Sequence, residues 1–159
     1  MEPKEELGKL LLQNNLTISI AESCTGGLIS KLITDVSGSS VYFQMGLVTY
    51  SNNAKIKILN VEKDIIEKYG AVSYQCAQAM VKGLKTISGS DICISTTGIA
   101  GPTGGTDKKP VGLVYCGFYI FDKIYIEEIF LKGNRDLIRK QTANFCLKYL
   151  IERIKDGKH

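Results

Sequence analysis

Ser23 is the side chain best placed to act as a nucleophile, because AESCTGG (21–27) lies between an apolar stretch and a helical pattern. The Ser23 hydroxyl could attack an electrophile, or it could only cap a free N–H group at the start of a helix. Gly26 and Gly27 each cost a helix about 1 kcal/mol relative to alanine, so they indicate that something approaches this backbone closely. The N–H groups of Thr25, Gly26 and Gly27 would suit a phosphate or the oxyanion of an acyl-transfer intermediate.

A nucleophilic serine needs a base, and the residues that could supply one are few. The one histidine, His159, is the last residue, so a Ser–His–Asp triad, a Cys–His pair and a His-ligated zinc site are not expected. YSNNAK (50–55) instead brings Tyr50 and Lys55 close together. A lysine with the ordinary pKa of about 10.4 is almost entirely charged at neutral pH, so a basic Lys55 requires burial or a nearby positive charge. Alternatively, Lys55 is exposed and Tyr50 packs at the end of a strand.

A third segment, TTGIAGPTGGTDKKP (96–110), combines glycines with hydroxyls and positive charge. Its glycines permit positive φ angles, and its other polar groups are Thr96, Thr97, Thr103, Thr106, Lys108 and Lys109. This composition suits an anion such as a phosphate. The Walker pattern is absent, and the loop leads into a strand, whereas a dinucleotide-binding glycine turn leads into a helix. The alternative is a flexible turn before Pro110.

The pattern along the chain predicts the elements that position these segments. Strands are predicted in LTISIA, VYFQMGLVTY, SDICISTTG, VGLVYCGFYIF and KIYIEEIFL, and helices near residues 4–13, 25–35, 51–59, 62–69, 74–85 and 136–154. A tight hairpin at Asp122 and Lys123 joins the last two strands. The fold class predicted is α/β, a three-layer α/β/α sandwich with a mixed sheet of about five strands. Ligands gather at the carboxyl ends of parallel strands, so the three segments are expected to face one site.

Composition sets the broad class of protein. With 159 residues, 44% of them hydrophobic, the chain is expected to form one domain over residues 1–159. Its apolar runs are far shorter than the roughly 20 residues of a membrane span, and a cytoplasmic protein with no membrane partner is expected. Five widely spaced cysteines indicate reduced thiols and no metal site. The net charge of +4 favours an anionic partner, either a phosphorylated small molecule or nucleic acid.

Several segments together resemble the carboxyl-terminal domain of the competence-damage-inducible protein A (CinA) family of nicotinamide-nucleotide amidases. They are AESCTGG, GLVTYSNNAK, GAVS, TTGIAGPTGG with KPVGLVY, and GNRDLIRKQTANFCL, in the family's order and spacing. The resemblance as a whole covers about residues 5 to 153. The resemblance implies a cofactor-free amidohydrolase that converts nicotinamide mononucleotide to nicotinate mononucleotide and ammonia. It implies that Ser23 is the nucleophile and that Tyr50 and Lys55 complete a Ser–Tyr–Lys group.

The resemblance also implies a binding site and an assembly. The loop residues Thr97, Gly98, Ala100 and Gly101 would hold the phosphoribosyl group together with an arginine, for which Arg135 and Arg139 are both candidates. Longer family members carry an amino-terminal molybdopterin-binding-like domain, and this chain is expected to be a stand-alone form and a homodimer.

Three alternatives remain open at this stage. Cys24 could be the nucleophile, since a thiol at a helix amino terminus can have a lowered pKa, although family members also have apolar residues there and packing is expected. The chain could be a non-catalytic nucleotide-binding or regulatory module related to competence or DNA damage. It could also bind nucleic acid weakly through its positive charge, which the resemblance does not favour.

Overall fold

A five-stranded sheet lies between two layers of helices in the computed structural model, which describes residues 1–157. The strands are β1 (Ile18–Glu22), β2 (Phe43–Val48), β3 (Ile92–Gly98), β4 (Leu113–Ile120) and β5 (Lys123–Phe130). The helices are α1 (Pro3–Gln13), α2 (Leu28–Thr34), α3 (Asn52–Leu59), α4 (Lys63–Tyr69), α5 (Tyr74–Ser88) and α6 (Arg135–Asp156), with a short 3₁₀ turn at Ser39–Val41. His159 lies outside the described residues.

The sheet is mixed, with the strand order β2-β1-β3-β4-β5. Strand β1 pairs in parallel with β2 and β3, whereas β4 pairs antiparallel with β3 and β5. The predicted three-layer α/β/α sandwich is therefore confirmed. Because β1, β2 and β3 run in the same direction, the segments that follow them emerge at one edge of the sheet.

Successive side chains of the central strands point to opposite faces of the sheet, so the core has two parts, one on each face. In β1, Ile18 and Ile20 pack in one apolar cluster with residues of α1, α2 and α6. Ala21 packs in a second cluster with residues of α5 on the opposite face. All five residues of β1 are buried, as expected for a central strand covered on both faces. Within residues 1–157, no helix is long and apolar enough to cross a membrane.

Helix α2 begins at Leu28, three residues later than predicted. Gly26 and Gly27 have φ angles of +58° and +104°, which an α-helix cannot contain, so the preceding residues form a turn. The residue at the amino-terminal cap of α2 is Gly27, which has no side chain to cap with. Ser23 therefore does not cap this helix, and its hydroxyl remains available for other contacts.

The hairpin turn between β4 and β5 lies one residue earlier than predicted. Ile120 pairs with Lys123, so Phe121 and Asp122 form the turn. Their φ angles of +50° and +65° match the type I′ geometry that suits a twisted two-residue hairpin. This hairpin forms the edge of the sheet farthest from β2.

Candidate active site

Ser23 directly follows β1, and the neighbouring strand β3 fixes its backbone. The Ser23 N–H donates to the carbonyl oxygen of Thr96 at 3.1 Å, and the Thr96 hydroxyl lies 3.3 Å from the same nitrogen. The Thr96 hydroxyl also meets the hydroxyl of Thr25 at 2.9 Å. Ser23 is 7% exposed, so its backbone is held firmly while a small part of the residue still reaches the surface.

Lys55 contacts the Ser23 hydroxyl directly. Its Nζ donates to Ser23 Oγ at 2.9 Å and to the carbonyl oxygen of Tyr50 at 2.9 Å. Helix α3 holds Lys55 in place, because the Ser51 hydroxyl accepts from the N–H of Ala54 and caps the first turn of this helix. The structure thus brings together the segments after β1 and β2, as the parallel topology predicted.

Burial shifts the pKa of Lys55 in the direction that a base requires. The residue is 1% exposed, and among residues 1–157 it takes part in no salt bridge. Burial lowers the pKa of Lys55 from its ordinary value of 10.5 because the charged ammonium loses hydration, while the nearby thiols of Cys76 and Cys24 oppose this effect. The alternative of an exposed Lys55 is therefore wrong.

Tyr50 contributes to the site mainly through its backbone and through a contact with an arginine. Its carbonyl oxygen accepts from Lys55, whereas its hydroxyl oxygen accepts from Nη2 of Arg135 at 3.0 Å. The residue is 56% exposed, so the alternative of Tyr50 as a core residue is wrong. A backbone carbonyl favours the charged form of a lysine, so it is burial and not Tyr50 that lowers the pKa of Lys55.

The turn from Ser23 to Gly27 contains the three predicted donors to an oxyanion, and they are not equivalent. The N–H of Gly26 donates to the carbonyl oxygen of Ser23 at 3.1 Å, so it is used within the turn itself. In the part of the chain that the structure describes, the N–H groups of Thr25 and Gly27 donate to no other residue. These two N–H groups are therefore the candidate donors to a ligand, although Thr25 is fully buried and Gly27 is partly exposed.

Glu22, which the sequence analysis did not select, anchors α2 beside the turn. Its carboxylate is fully buried and accepts from the N–H of Ile29 at 2.9 Å, from the N–H of Ser30 at 3.0 Å and from the Ser30 hydroxyl at 2.7 Å. The carboxylate thus supplies the side-chain cap that Gly27 cannot provide. An acidic residue at the end of a buried strand, just before a glycine turn, was the signal that could have identified it.

The two candidate arginines lie in different places, which the sequence could not show. Arg139 faces the turn, where its Nε donates to the carbonyl oxygen of Cys24 at 3.2 Å and its Nη2 to that of Thr25 at 3.1 Å. Arg135 begins α6 and is exposed. Its Nη1 donates to the carbonyl oxygen of Gly101 at 2.9 Å, in addition to the contact of Nη2 with Tyr50.

The glycine-rich loop reaches this site through Gly101, while its other predicted residues make internal contacts. The Thr97 hydroxyl donates to the carbonyl oxygen of Ala71 at 2.7 Å, and Ala100 is buried in the core. A Cβ atom on Gly98 would lie 2.7 Å from a side-chain carbon of Val114, so close strand packing requires glycine there. Of the four predicted loop residues, Gly101 is the one that contacts Arg135.

Cys24 does not have the properties of a reactive thiol. It is buried, and burial raises its pKa to about 12, which leaves almost no thiolate at neutral pH. The residue packs with the apolar cluster of β1 and α2, as expected. The alternative of a Cys24 nucleophile is therefore disfavoured, and Ser23 is the nucleophile candidate that contacts a buried lysine.

These features define an α/β domain with a serine and a buried lysine in contact at the carboxyl edge of its parallel strands. The chain belongs to the family described as the CinA C-terminal domain, whose model matches residues 2–154. It is 52% identical over 147 residues to a CinA-like protein of Dictyoglomus thermophilum and 48% identical over 147 residues to a CinA-like protein of Kosmotoga olearia. Each alignment covers 92% of this chain and 36% of the relative, so the chain spans about a third of their length.

Solved structures of the same superfamily share the fold. A CinA superfamily protein from Klebsiella pneumoniae has a TM-score of 0.93 at 28% identity, with 99% of this chain and 100% of that chain covered. The competence/damage inducible protein CihA from Agrobacterium tumefaciens has a TM-score of 0.88 at 37% identity, with 96% of each chain covered. The family and the fold are thereby established independently of each other.

Proposed function

We propose that this chain is an amidohydrolase that converts nicotinamide mononucleotide to nicotinate mononucleotide and ammonia, as part of pyridine-nucleotide recycling in the cytoplasm. The observation that carries the proposal is the 2.9 Å contact between Lys55 Nζ and Ser23 Oγ, made by a lysine that is buried and has no carboxylate partner within residues 1–157. A serine paired with a neutral lysine is a nucleophile suited to carbonyl carbons such as that of a carboxamide. The choice of this carboxamide follows the family resemblance.

The proposed reaction proceeds in two halves. Neutral Lys55 accepts the proton of the Ser23 hydroxyl while Ser23 Oγ attacks the carboxamide carbon, and the N–H groups of Thr25 and Gly27 stabilise the oxyanion. When the tetrahedral intermediate collapses, the C–N bond breaks and the Lys55 ammonium returns the proton to the leaving nitrogen, which departs as ammonia. Water then attacks the acyl-enzyme while Lys55 accepts its proton, and the Lys55 ammonium returns this proton to Ser23 Oγ as the ester C–O bond breaks. Nicotinate mononucleotide leaves, its new carboxylic acid losing a proton to water, and Ser23 and neutral Lys55 are regenerated.

Arg135 is the arginine that we assign to the substrate phosphate. It is exposed, its guanidinium is close to Tyr50 and to the glycine-rich loop, and its two described contacts are with uncharged oxygens. A guanidinium has five N–H donors and binds phosphate with two parallel hydrogen bonds. An incoming phosphate could therefore form charge-assisted bonds that the free protein lacks.

The proposal is tested with the purified chain and nicotinamide mononucleotide, by following ammonia release and the mass of the product. Ser23→Ala is expected to abolish turnover, and Lys140→Met, at an exposed ion pair with Asp136 on α6, provides the matched control. Turnover that persists in Ser23→Ala would refute the nucleophile. Tight binding of the nucleotide without turnover at any pH would instead support the non-catalytic nucleotide-binding module.

A further inference from the structure

Arg139, which lies in α6 near the carboxyl end of the chain, binds the backbone of the turn from Ser23 to Gly27. Its Nε donates to the carbonyl oxygen of Cys24 and its Nη2 to the carbonyl oxygen of Thr25, at 3.2 Å and 3.1 Å. A guanidinium is a rigid planar fork, so these two bonds fix two consecutive peptide groups relative to α6.

Holding a carbonyl also sets the direction of the N–H group in the same peptide. The peptide unit is planar and trans, so its C=O and N–H bonds point in opposite directions. The carbonyl of Cys24 shares a peptide with the N–H of Thr25, and the carbonyl of Thr25 shares one with the N–H of Gly26. Because Arg139 binds both carbonyls, the N–H of Thr25 must point away from the guanidinium.

Gly26 provides independent support for this arrangement. A Cβ atom at position 26 would lie 2.9 Å from Nη2 of Arg139, and the φ angle of +58° already disfavours other residues. The glycines predicted that another group approaches this backbone closely. At Gly26, that group is the guanidinium of Arg139.

We propose that Arg139 is a positioning residue, which aims the N–H group of Thr25 at the oxyanion and does not bind the substrate phosphate. The inference rests on the proposed amidase function for its reaction, and it removes one of the two arginines from the phosphate site. Without Arg139, the carbonyl oxygen of Cys24 loses its described partner, so the peptide between Cys24 and Thr25 is held less firmly and its N–H is less well aligned with the oxyanion. Loss of one such donor lowers kcat by about 10²-fold or more in other enzymes.

The first experiment separates positioning from phosphate binding with two substrates, nicotinamide mononucleotide and the phosphate-free nucleoside. Arg139→Met is expected to lower kcat by about 10²-fold with both substrates and to leave KM nearly unchanged. Arg135→Met, the comparison variant, is expected to raise KM more for the nucleotide than for the nucleoside. An Arg139→Met defect that appears only in KM, and only with the nucleotide, would overturn the inference.

A second experiment does not depend on amide turnover. A fluorophosphonate reacts when Ser23 Oγ attacks phosphorus and fluoride leaves, and its phosphoryl oxygen needs the same donors as the oxyanion. Arg139→Met is expected to slow this labelling of Ser23, measured by intact mass, by about 10²-fold, while Lys140→Met is expected to label at the parent rate. Labelling at the parent rate in Arg139→Met would refute the inference. If the parent labels normally but does not hydrolyse the nucleotide, the proposed function fails while the labelling rates still decide the role of Arg139.

Gly26→Ala tests the same contact while the arginine is retained, and thus covers the case in which Arg139→Met does not fold. The new Cβ displaces the guanidinium, so labelling should slow to a similar extent. The double variant should be little slower than Gly26→Ala alone, because the contact that Arg139→Met removes is already lost in that variant. Full multiplication of the two effects would show that they are independent and would overturn the inference.

Discussion

Replacement of Lys55 by methionine is expected to abolish catalysis and, at the same time, to stabilise the fold. The two effects have one cause, since the lysine is buried without a carboxylate partner in the described part of the chain. Methionine keeps an unbranched apolar side chain of similar length, so the space around α3 stays filled. The variant therefore removes a charge and a base with little change in packing.

The expected magnitudes follow from the contacts of Lys55. Loss of a general base lowers kcat by about 10²- to 10⁴-fold. Burial of the ammonium is offset by only two hydrogen bonds, to Ser23 Oγ and to the carbonyl oxygen of Tyr50. The Ser23 hydroxyl lies 3.3 Å from that same carbonyl and can still donate to it in the variant. We therefore expect the free energy of unfolding to rise by about 1–2 kcal/mol at neutral pH, as when buried charges are replaced by apolar groups.

Thermal unfolding and steady-state kinetics measure both effects on the same samples. A gain of about 1–2 kcal/mol corresponds to a rise in Tm of several degrees for a domain of this size. Arg139 and Glu22 are unchanged in Lys55→Met, so a general loss of structure would show as a lower Tm. If Lys55→Met were less stable than the parent, or kept more than a tenth of its kcat, the assignment of Lys55 as an uncompensated buried base would be refuted.

Three further predictions concern pH and individual side chains. The pKa of Lys55 is lowered in the folded state, so kcat/KM should rise with pH to a midpoint below 10.5. The extra stability of Lys55→Met should be complete at pH values below the folded pKa of Lys55 and should vanish as the pH rises to 10.5. A stability difference that grows with pH would contradict this prediction. Glu22→Gln should lower the free energy of unfolding by about 1–3 kcal/mol in urea titrations, because an amide cannot accept all three bonds from α2, and an unchanged midpoint would argue against the cap. Cys24→Ala should have a kcat within about threefold of the parent value, because the thiol has no role in the proposed reaction. Loss of turnover with an unchanged Tm would instead support a thiol nucleophile.

The sequence predicted that Ser23 and Lys55 lie close together, because this proximity follows from the order and direction of the strands. Ser23 follows β1 and Lys55 lies in the helix after β2, and any parallel pairing of these strands places both at one edge of the sheet. The burial of Lys55 does not follow from the sequence, since whether a lysine side chain is covered depends on how the layers pack. Sequence spacing around YSNNAK contains no such information.

The features that sequence analysis missed are contacts between distant segments. Arg135 and Arg139 are one helical turn apart, so no local pattern distinguishes them. Their partners lie in two different loops, Gly101 for one and Cys24 for the other. The late start of α2 was missed because the apolar spacing of the helix does not reveal that Gly26 and Gly27 adopt positive φ angles in the preceding turn.

The placement of Glu22 explains how a buried carboxylate and a buried lysine can flank the same serine without forming an ion pair. A carboxylate next to Lys55 would stabilise the ammonium and raise the pKa of the lysine, which would remove the base. Both oxygens of Glu22 are instead occupied by the N–H groups and hydroxyl at the start of α2, where the helix dipole also favours negative charge. The charge of Glu22 is thus satisfied on the α2 side of Ser23, and burial remains the main influence on the pKa of Lys55. The capping contact of Glu22 accordingly holds the turn that carries Ser23 and directs the carboxylate to α2.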